Sequence, residues 1–118
     1  MRETVKDLGR IAHMYEAATI LCEKSPDITL DSIKKNQILF FGLAKLIEII
    51  GEAAYKLTID FKDSHRELPW DAIIGMRHVM VHGYYTISPD KIWATITSDI
   101  PDMIPILEKY LDEFNERS

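Results

Sequence analysis

The residues best suited to chemistry stand close together in residues 76–85, which hold an arginine, two histidines and two tyrosines. Arg77 is a permanent cation whose planar guanidinium fits a phosphate or a carboxylate. His82 can gain or lose a proton near neutral pH. The spacing puts Arg77 and His82 about 140° apart around an ideal helix. They would therefore converge only if the helix end is distorted or if a second subunit contributes one of them.

A purely stabilising role for the same residues is the simpler alternative. An arginine and a histidine at a helix C-terminus complement the helix dipole and its last carbonyl groups, which is worth about 0.3–1 kcal/mol. Tyr84 and Tyr85 could be packing residues with solvated hydroxyls. From residue types alone, this stabilising role is the favoured interpretation.

Metal chemistry is the weaker hypothesis. His78 and His82 are four residues apart and share a helix face, but a zinc site needs a third protein ligand. Cys22 is the sole cysteine, so a cysteine-based cluster is excluded. Glu48 and Glu52 lie one turn apart and are better explained as a solvated edge or as partners of nearby lysines. We therefore expect no metal site and no cofactor.

Helical periodicity positions these residues. In the first helix, one apolar stripe is formed by Val5, Leu8, Ala12, Tyr15, Thr19 and Cys22, and we expect it to be buried. The next helix is apolar on two sides, which indicates a central helix or one at a subunit interface. Pro101 and Pro105 should kink or split the last helix. The pattern predicts helices over 4–23, from Thr29 to Ala54, from Pro69 to Gly83 and from Ser88 to Phe114, with a short helical turn and a loop over 60–69.

No alternation typical of strands occurs, so the sequence predicts one all-α domain over residues 1–118, a bundle of about four or five helices. The net charge of −5 argues against a broad surface for nucleic acid. Residues 90–118 carry seven acidic and three basic residues, so most of the excess lies in the last helix. The longest apolar stretch, 38–44, is too short for a membrane span, and no signal peptide is apparent. We expect a cytoplasmic protein.

The order Arg77, His82, Tyr84 resembles the motif of HEPN-domain ribonucleases, specifically the HepT-like toxins. The resemblance covers nearly the whole chain, because further segments match the family in order and spacing. These are residues 50–53, 68–70, 76–77, 81–84 and 100–101. It implies an antiparallel helical bundle that forms a homodimer, with the motifs of the two copies meeting near the two-fold axis. Such proteins cleave RNA without a metal, using the 2′-hydroxyl of the RNA as the nucleophile.

The resemblance also implies a role for each motif residue. His82 would transfer the proton, and Arg77 would stabilise charge on the transition state. His78 stands where the family often has asparagine, so it is either a second proton-transfer group or a positional substitute. Gly83 lets the chain leave the helix. Tyr84 would accept AMP from a nucleotidyltransferase antitoxin, and the added phosphate would repel RNA.

The implied partners are an RNA such as tRNA or mRNA, the antitoxin and a second copy of the chain, with a larger hetero-oligomer also open. DNA and membranes are not expected partners. Two alternatives remain at this stage. One is a HEPN module without activity that binds a nucleotide or a nucleotidyltransferase, and the other is a structural helical bundle.

Overall fold

The structure, a computed structural model, describes residues 2–83 and 86–117, with side chains over 6–83 and 86–116. Within these ranges the secondary structure is helical and contains no strand, which confirms the all-α class. A 3-10 turn, Ser25–Asp27, follows the first helix, and a π-helical turn, Thr95–Asp99, joins the last two. The helices are α1 (Arg2–Lys24), α2 (Leu30–Lys35), α3 (Gln37–Lys56), α4 (Ile59–Ser64), α5 (Trp70–His82), α6 (Pro89–Ala94) and α7 (Ile100–Arg117).

The prediction of one continuous helix from Thr29 to Ala54 is wrong, because the chain breaks at Asn36. Thr29 does cap a helix: its hydroxyl oxygen accepts from the Ser32 N–H, and its own N–H donates to the Ser32 hydroxyl oxygen, which together form a capping box. Asn36 then has an extended backbone, with φ −125° and ψ 101°, and its side chain accepts a hydrogen bond of 3.1 Å from the Leu39 N–H. The amide side chain thus ends α2 and caps α3.

Most other predicted helix boundaries agree with the structure to within two residues, but the last helix runs to Arg117 and not to Phe114. Helix α5 begins directly after Pro69 and ends at Gly83, whose N–H donates to the Val79 carbonyl at 2.7 Å. Ser88 caps α6, with proline at the first helical position. The expected irregularity near Pro101 takes the form of the π-helical turn, whose wider winding precedes the residue that lacks an N–H. Helix α7 continues through Pro105 without a break.

The helices pack in a chain of neighbours: α5 lies against α3, α3 against α1, and α1 against α7. Helix α3 is therefore central, as its two apolar sides predict. The stripe predicted for α1 is wrong, because its members from Leu8 to Cys22 are only partly buried and the fully buried residues of the helix stand one position before them. The side chain of Val5, the remaining member, lies outside the described residues. Those core residues are Ile11, Met14, Ala18 and Leu21.

Among the described residues, no helix is both long enough and apolar enough to cross a membrane.

Candidate functional site

The backbones of α3 and α5 approach each other closely where Gly51 faces Arg77. A Cβ added at Gly51 would lie 2.5 Å from the Cβ of Arg77 and 2.8 Å from its backbone nitrogen. Both distances are far inside van der Waals contact, so a side chain cannot fit there without moving one helix. Gly51 therefore lets the stem of Arg77 rest directly on the backbone of α3.

The guanidinium of Arg77 is held by two side chains from the last turns of α3. Its Nε donates to the carboxylate of Glu52, and its Cζ lies 4.7 Å from the centroid of the Tyr55 ring, in a cation–π contact. The side chain is 27% exposed. Within the described ranges, neither Nη group has a hydrogen-bond acceptor. Arg77 is thus fixed in orientation while the outer edge of its fork is open to an anion.

Glu52 stands between two cations. One carboxylate oxygen accepts from Arg77, and the other lies 3.5 Å from the ammonium of Lys56. The hydrogen bond from Arg77 is the main cause that lowers the pKa of Glu52, and Lys56 acts in the same direction. The carboxylate is therefore ionised at neutral pH, and the three groups together carry one net positive charge.

Lys56 is one of six cations that the sequence places between the start of α2 and Arg77. Three of the others form ion pairs elsewhere: Lys35 with Asp31 at 3.0 Å, Lys45 with Glu48 at 2.8 Å, and Arg66 with Asp63 at 2.7 Å. The basic character near Arg77 is therefore local and small. The acidic helix α7 packs against α1, whereas Arg77 faces α3.

The two histidines of the motif lie side by side on the exposed part of α5. The ring centroids of His78 and His82 are 4.7 Å apart, with the planes tilted by 51°. Both side chains are exposed, and neither ring forms a hydrogen bond to a described residue. Helix α5 stays regular through His82, so its end is not distorted to bring Arg77 and His82 together. Within one chain, Arg77 is directed at α3 while His82 pairs with His78.

Two side chains of α1, Asp7 and Arg10, hold the chain where α3 ends and α4 begins. Asp7, only 4% exposed, accepts from the backbone N–H of Thr58 at 3.0 Å and from its hydroxyl at 2.7 Å. Arg10 donates to the carbonyl of Lys56, the last residue of α3. Sequence reasoning missed this contact, although Asp7 stands in helical register with the core residues Ile11 and Met14. A carboxylate in such a register indicates a buried hydrogen-bonding role.

The tyrosine proposed to accept AMP, Tyr84, and its neighbour Tyr85 lie outside the described residues. Gly83 is the residue at which the chain leaves α5, as expected, and a Cβ there would meet the Val79 carbonyl oxygen at 3.1 Å. Among the described side chains, no group of three histidine, cysteine, aspartate or glutamate residues is placed to hold one metal ion.

The comparison with known proteins identifies the class. Residues 10–110 match the family described as "Ribonuclease HepT-like", so the chain belongs to the HepT-like ribonuclease family, a HEPN family. A protein of Caldanaerobacter subterraneus subsp. tengcongensis named "Putative RNase TTE0752" is 31% identical over 91% of this chain and 92% of its own length. A protein of Thermococcus cleftensis named "Probable ribonuclease HepT" is 29% identical over 92% of this chain and 97% of its own. No solved structure matches the chain with significance.

Proposed function

We propose that this protein is an endoribonuclease that acts as the toxin of a toxin–antitoxin pair in the cytoplasm. The observation that carries the proposal is the way in which the guanidinium of Arg77 is positioned. Its guanidinium is oriented by Glu52 and Tyr55, and the edge of its fork is left without an acceptor among the described residues. Membership of the HepT-like ribonuclease family, and relatives whose names describe RNases, support the choice of RNA as the substrate.

The reaction would be a transesterification at one phosphate of the RNA, in which the protein supplies a proton acceptor and a cation. The 2′-oxygen attacks the adjacent phosphorus, and the bond to the 5′-oxygen of the next nucleotide breaks. His82 takes the proton from the 2′-hydroxyl, and an acid returns a proton to the leaving oxygen. Positioned proton transfer of this kind is worth about 10²–10⁴ in rate. Arg77 donates to the non-bridging oxygens, where negative charge develops.

Two copies of the chain would complete the site. Because Arg77 turns toward α3 while His82 lies on the exposed part of α5, one helix presents its cation and its base in different directions. A two-fold axis beside α5 would bring the histidines of one copy toward the arginine of the other. Val79 and Val81 are apolar residues of the same helix segment and are 46% and 37% exposed, which suits them to a contact between the copies.

Control of the toxin would come from its partner. A nucleotidyltransferase antitoxin would direct the phenolic oxygen of Tyr84 to the α-phosphorus of ATP, so that pyrophosphate leaves and AMP stays on the tyrosine. Tyr84 directly follows Gly83, at which α5 ends. A phosphate at this point would compete for Arg77 and would repel the RNA backbone. The result would be an inactive toxin.

The first experiment measures RNA cleavage by the purified, tag-free chain in the presence of EDTA. We expect 2′,3′-cyclic phosphate and 5′-hydroxyl ends, and a loss of at least 100-fold in Arg77→Ala and His82→Ala with unchanged urea unfolding. Arg66→Ala, which removes a cation paired with Asp63, is the matched control and should keep full activity. Absence of cleavage of total RNA, together with normal growth of cells that express the chain alone, would refute the proposal.

The second experiment tests the modification by intact mass after co-expression with the antitoxin. The mass should rise by one or more AMP units in the wild type and should not rise in Tyr84→Phe. If the gain persists in that variant, the acceptor lies elsewhere, and Tyr85→Phe is the next variant to measure. Binding of the partner without RNA cleavage by the free chain would instead favour a HEPN module without activity.

A further inference from the structure

The paired rings of His78 and His82 form an arrangement that the proposed proton transfer does not fully use. The residues stand one helical turn apart on a regular part of α5, and their ring centroids are 4.7 Å apart. Two nitrogens that bind one ion with tetrahedral geometry lie about 3.3 Å apart, from bonds of about 2.0 Å. Since both side chains are exposed, no packing contact prevents the rings from turning one nitrogen each toward a shared ion.

The position of the pair on the helix also favours a cation. His82 is the last residue of α5, so the rings stand at the end of the helix where the backbone carbonyls and the dipole are negative. Imidazole nitrogens are common ligands of zinc, nickel and copper. Helical histidines at this spacing bind one ion together in known zinc motifs.

The other two described histidines, His13 and His65, do not form such a pair. His65 is buried, and its two ring nitrogens lie 2.8 Å from the Phe61 carbonyl oxygen and 2.8 Å from a Glu113 carboxylate oxygen. His13 is exposed, but no ring contact joins it to another histidine among the described residues. His78 and His82 are therefore the histidines that can share one ion.

A resident zinc centre needs a third protein ligand, which the described residues do not supply, so an ion at this pair would be exchangeable. We infer that His78 and His82 together bind one such divalent transition-metal ion, with water in the remaining positions, and that the bound ion inhibits the ribonuclease. Inhibition rests on the proposed function. A metal held by the Nε2 or Nδ1 lone pair of His82 occupies the nitrogen that would take the proton from the 2′-hydroxyl. The ion is thus an inhibitor of the reaction and no part of its chemistry.

The binding test uses calorimetry with zinc chloride, tag-free protein and no RNA. We expect one zinc ion per chain, at least tenfold weaker binding in each of His78→Asn and His82→Asn, and a change below twofold in the control His13→Asn. Binding by His78→Asn as tight as that of the wild type would overturn the inference. If His13→Asn instead weakens zinc binding at least tenfold, the ion is bound elsewhere, and the inference is overturned as well.

The inhibition test compares cleavage rates with and without saturating zinc, each variant against its own zinc-free rate. The wild-type rate should fall at least tenfold and recover on addition of EDTA, while the rate of His78→Asn should change less than twofold. Zinc binding with unchanged wild-type cleavage would refute the inhibitory role. A chain that binds zinc but never cleaves RNA would refute the proposed function and leave the metal site standing, so the two failures are distinct.

Discussion

Replacing Gly51 with alanine tests the close contact between α3 and α5 that supports Arg77. The added methyl carbon would lie 2.5 Å from the Cβ of Arg77, where contacting carbon atoms need about 3.5–4.0 Å. The deficit is therefore about 1 Å or more. The atoms that obstruct the methyl group belong to the backbone and the first side-chain carbon of α5, so rotation of a side chain cannot relieve the clash. Helix α5 must shift away from α3.

Two effects of opposite sign set the change in stability. Overpacking of this kind costs about 1–3 kcal/mol. Exchange of glycine for alanine inside a helix returns about 0.5–1 kcal/mol. The net loss in the free energy of unfolding should be about 1–2 kcal/mol. The cleavage rate should fall by more than the loss of stability alone would cause. A shift of about 1 Å in a group that contacts the transition state can lower the rate about 100-fold.

Gly42→Ala is the matched control. Gly42 lies in the same helix, and a Cβ added there meets no atom within 4 Å among the described residues. This variant should gain about 0.5–1 kcal/mol in urea unfolding at equal protein concentration, with cleavage near that of the wild type. If Gly51→Ala is as stable as Gly42→Ala and cleaves RNA at the wild-type rate, the argument that glycine sets the helix spacing fails.

Three further changes test other contacts. Asp7→Ala removes two hydrogen bonds of a buried carboxylate at the start of α4 and should cost about 2–3 kcal/mol in urea unfolding. Asp31→Ala breaks an exposed pair, and its effect should stay within about 0.5 kcal/mol. Equal losses in the free energy of unfolding for the two variants would contradict the role given to the Asp7 hydrogen bonds. Glu52→Gln loosens the hold on Arg77 but removes a negative charge, so kcat for RNA should fall about tenfold without a rise in KM. Raised KM with unchanged kcat would refute this. The hydrogen bond from Lys109 is the main cause that lowers the pKa of Glu67 to about 2 from 4.5, so the stability it adds above pH 4.5 is lost as pH falls toward 2. In Lys109→Met the pKa of Glu67, followed by NMR, should move toward 4.5, and an unchanged titration would count against the contact.

The parts of the fold that local chemistry decides could be predicted. Proline and serine at helix starts, and Gly83 at a helix end, act through their own backbone and side chain, so the sequence places these boundaries correctly. The break at Asn36 could not be seen, since the apolar pattern runs through it. The face of α1 was assigned one position too far along, because Tyr15 and Thr19 are apolar enough to continue a stripe that neighbouring helices leave half-buried.

In the candidate site, too, features set by local sequence could be predicted, whereas features set by packing between helices could not. Arg77 and His82 stand out by residue type and spacing, and the family motif contains both. The residues that position Arg77 depend on how α3 packs against α5, which helical periodicity does not determine. The spacing left two interpretations of Glu52 open, a solvated edge or a partner of a nearby lysine, and Lys56 is such a partner. The bond from Arg77 to Glu52 joins two helices and leaves no local signal.

Under the proposed function, the charges around Glu52 would also affect how RNA binding responds to salt. Arg77, Glu52 and Lys56 together carry one net positive charge, so two copies of the chain would neutralise about two phosphates. Binding to a single strand then releases few counterions, and the logarithm of the association constant should fall with the logarithm of salt concentration at a slope of about −1.4. A nuclease with so little electrostatic attraction would bind RNA briefly and would depend on the shape of its target for selection.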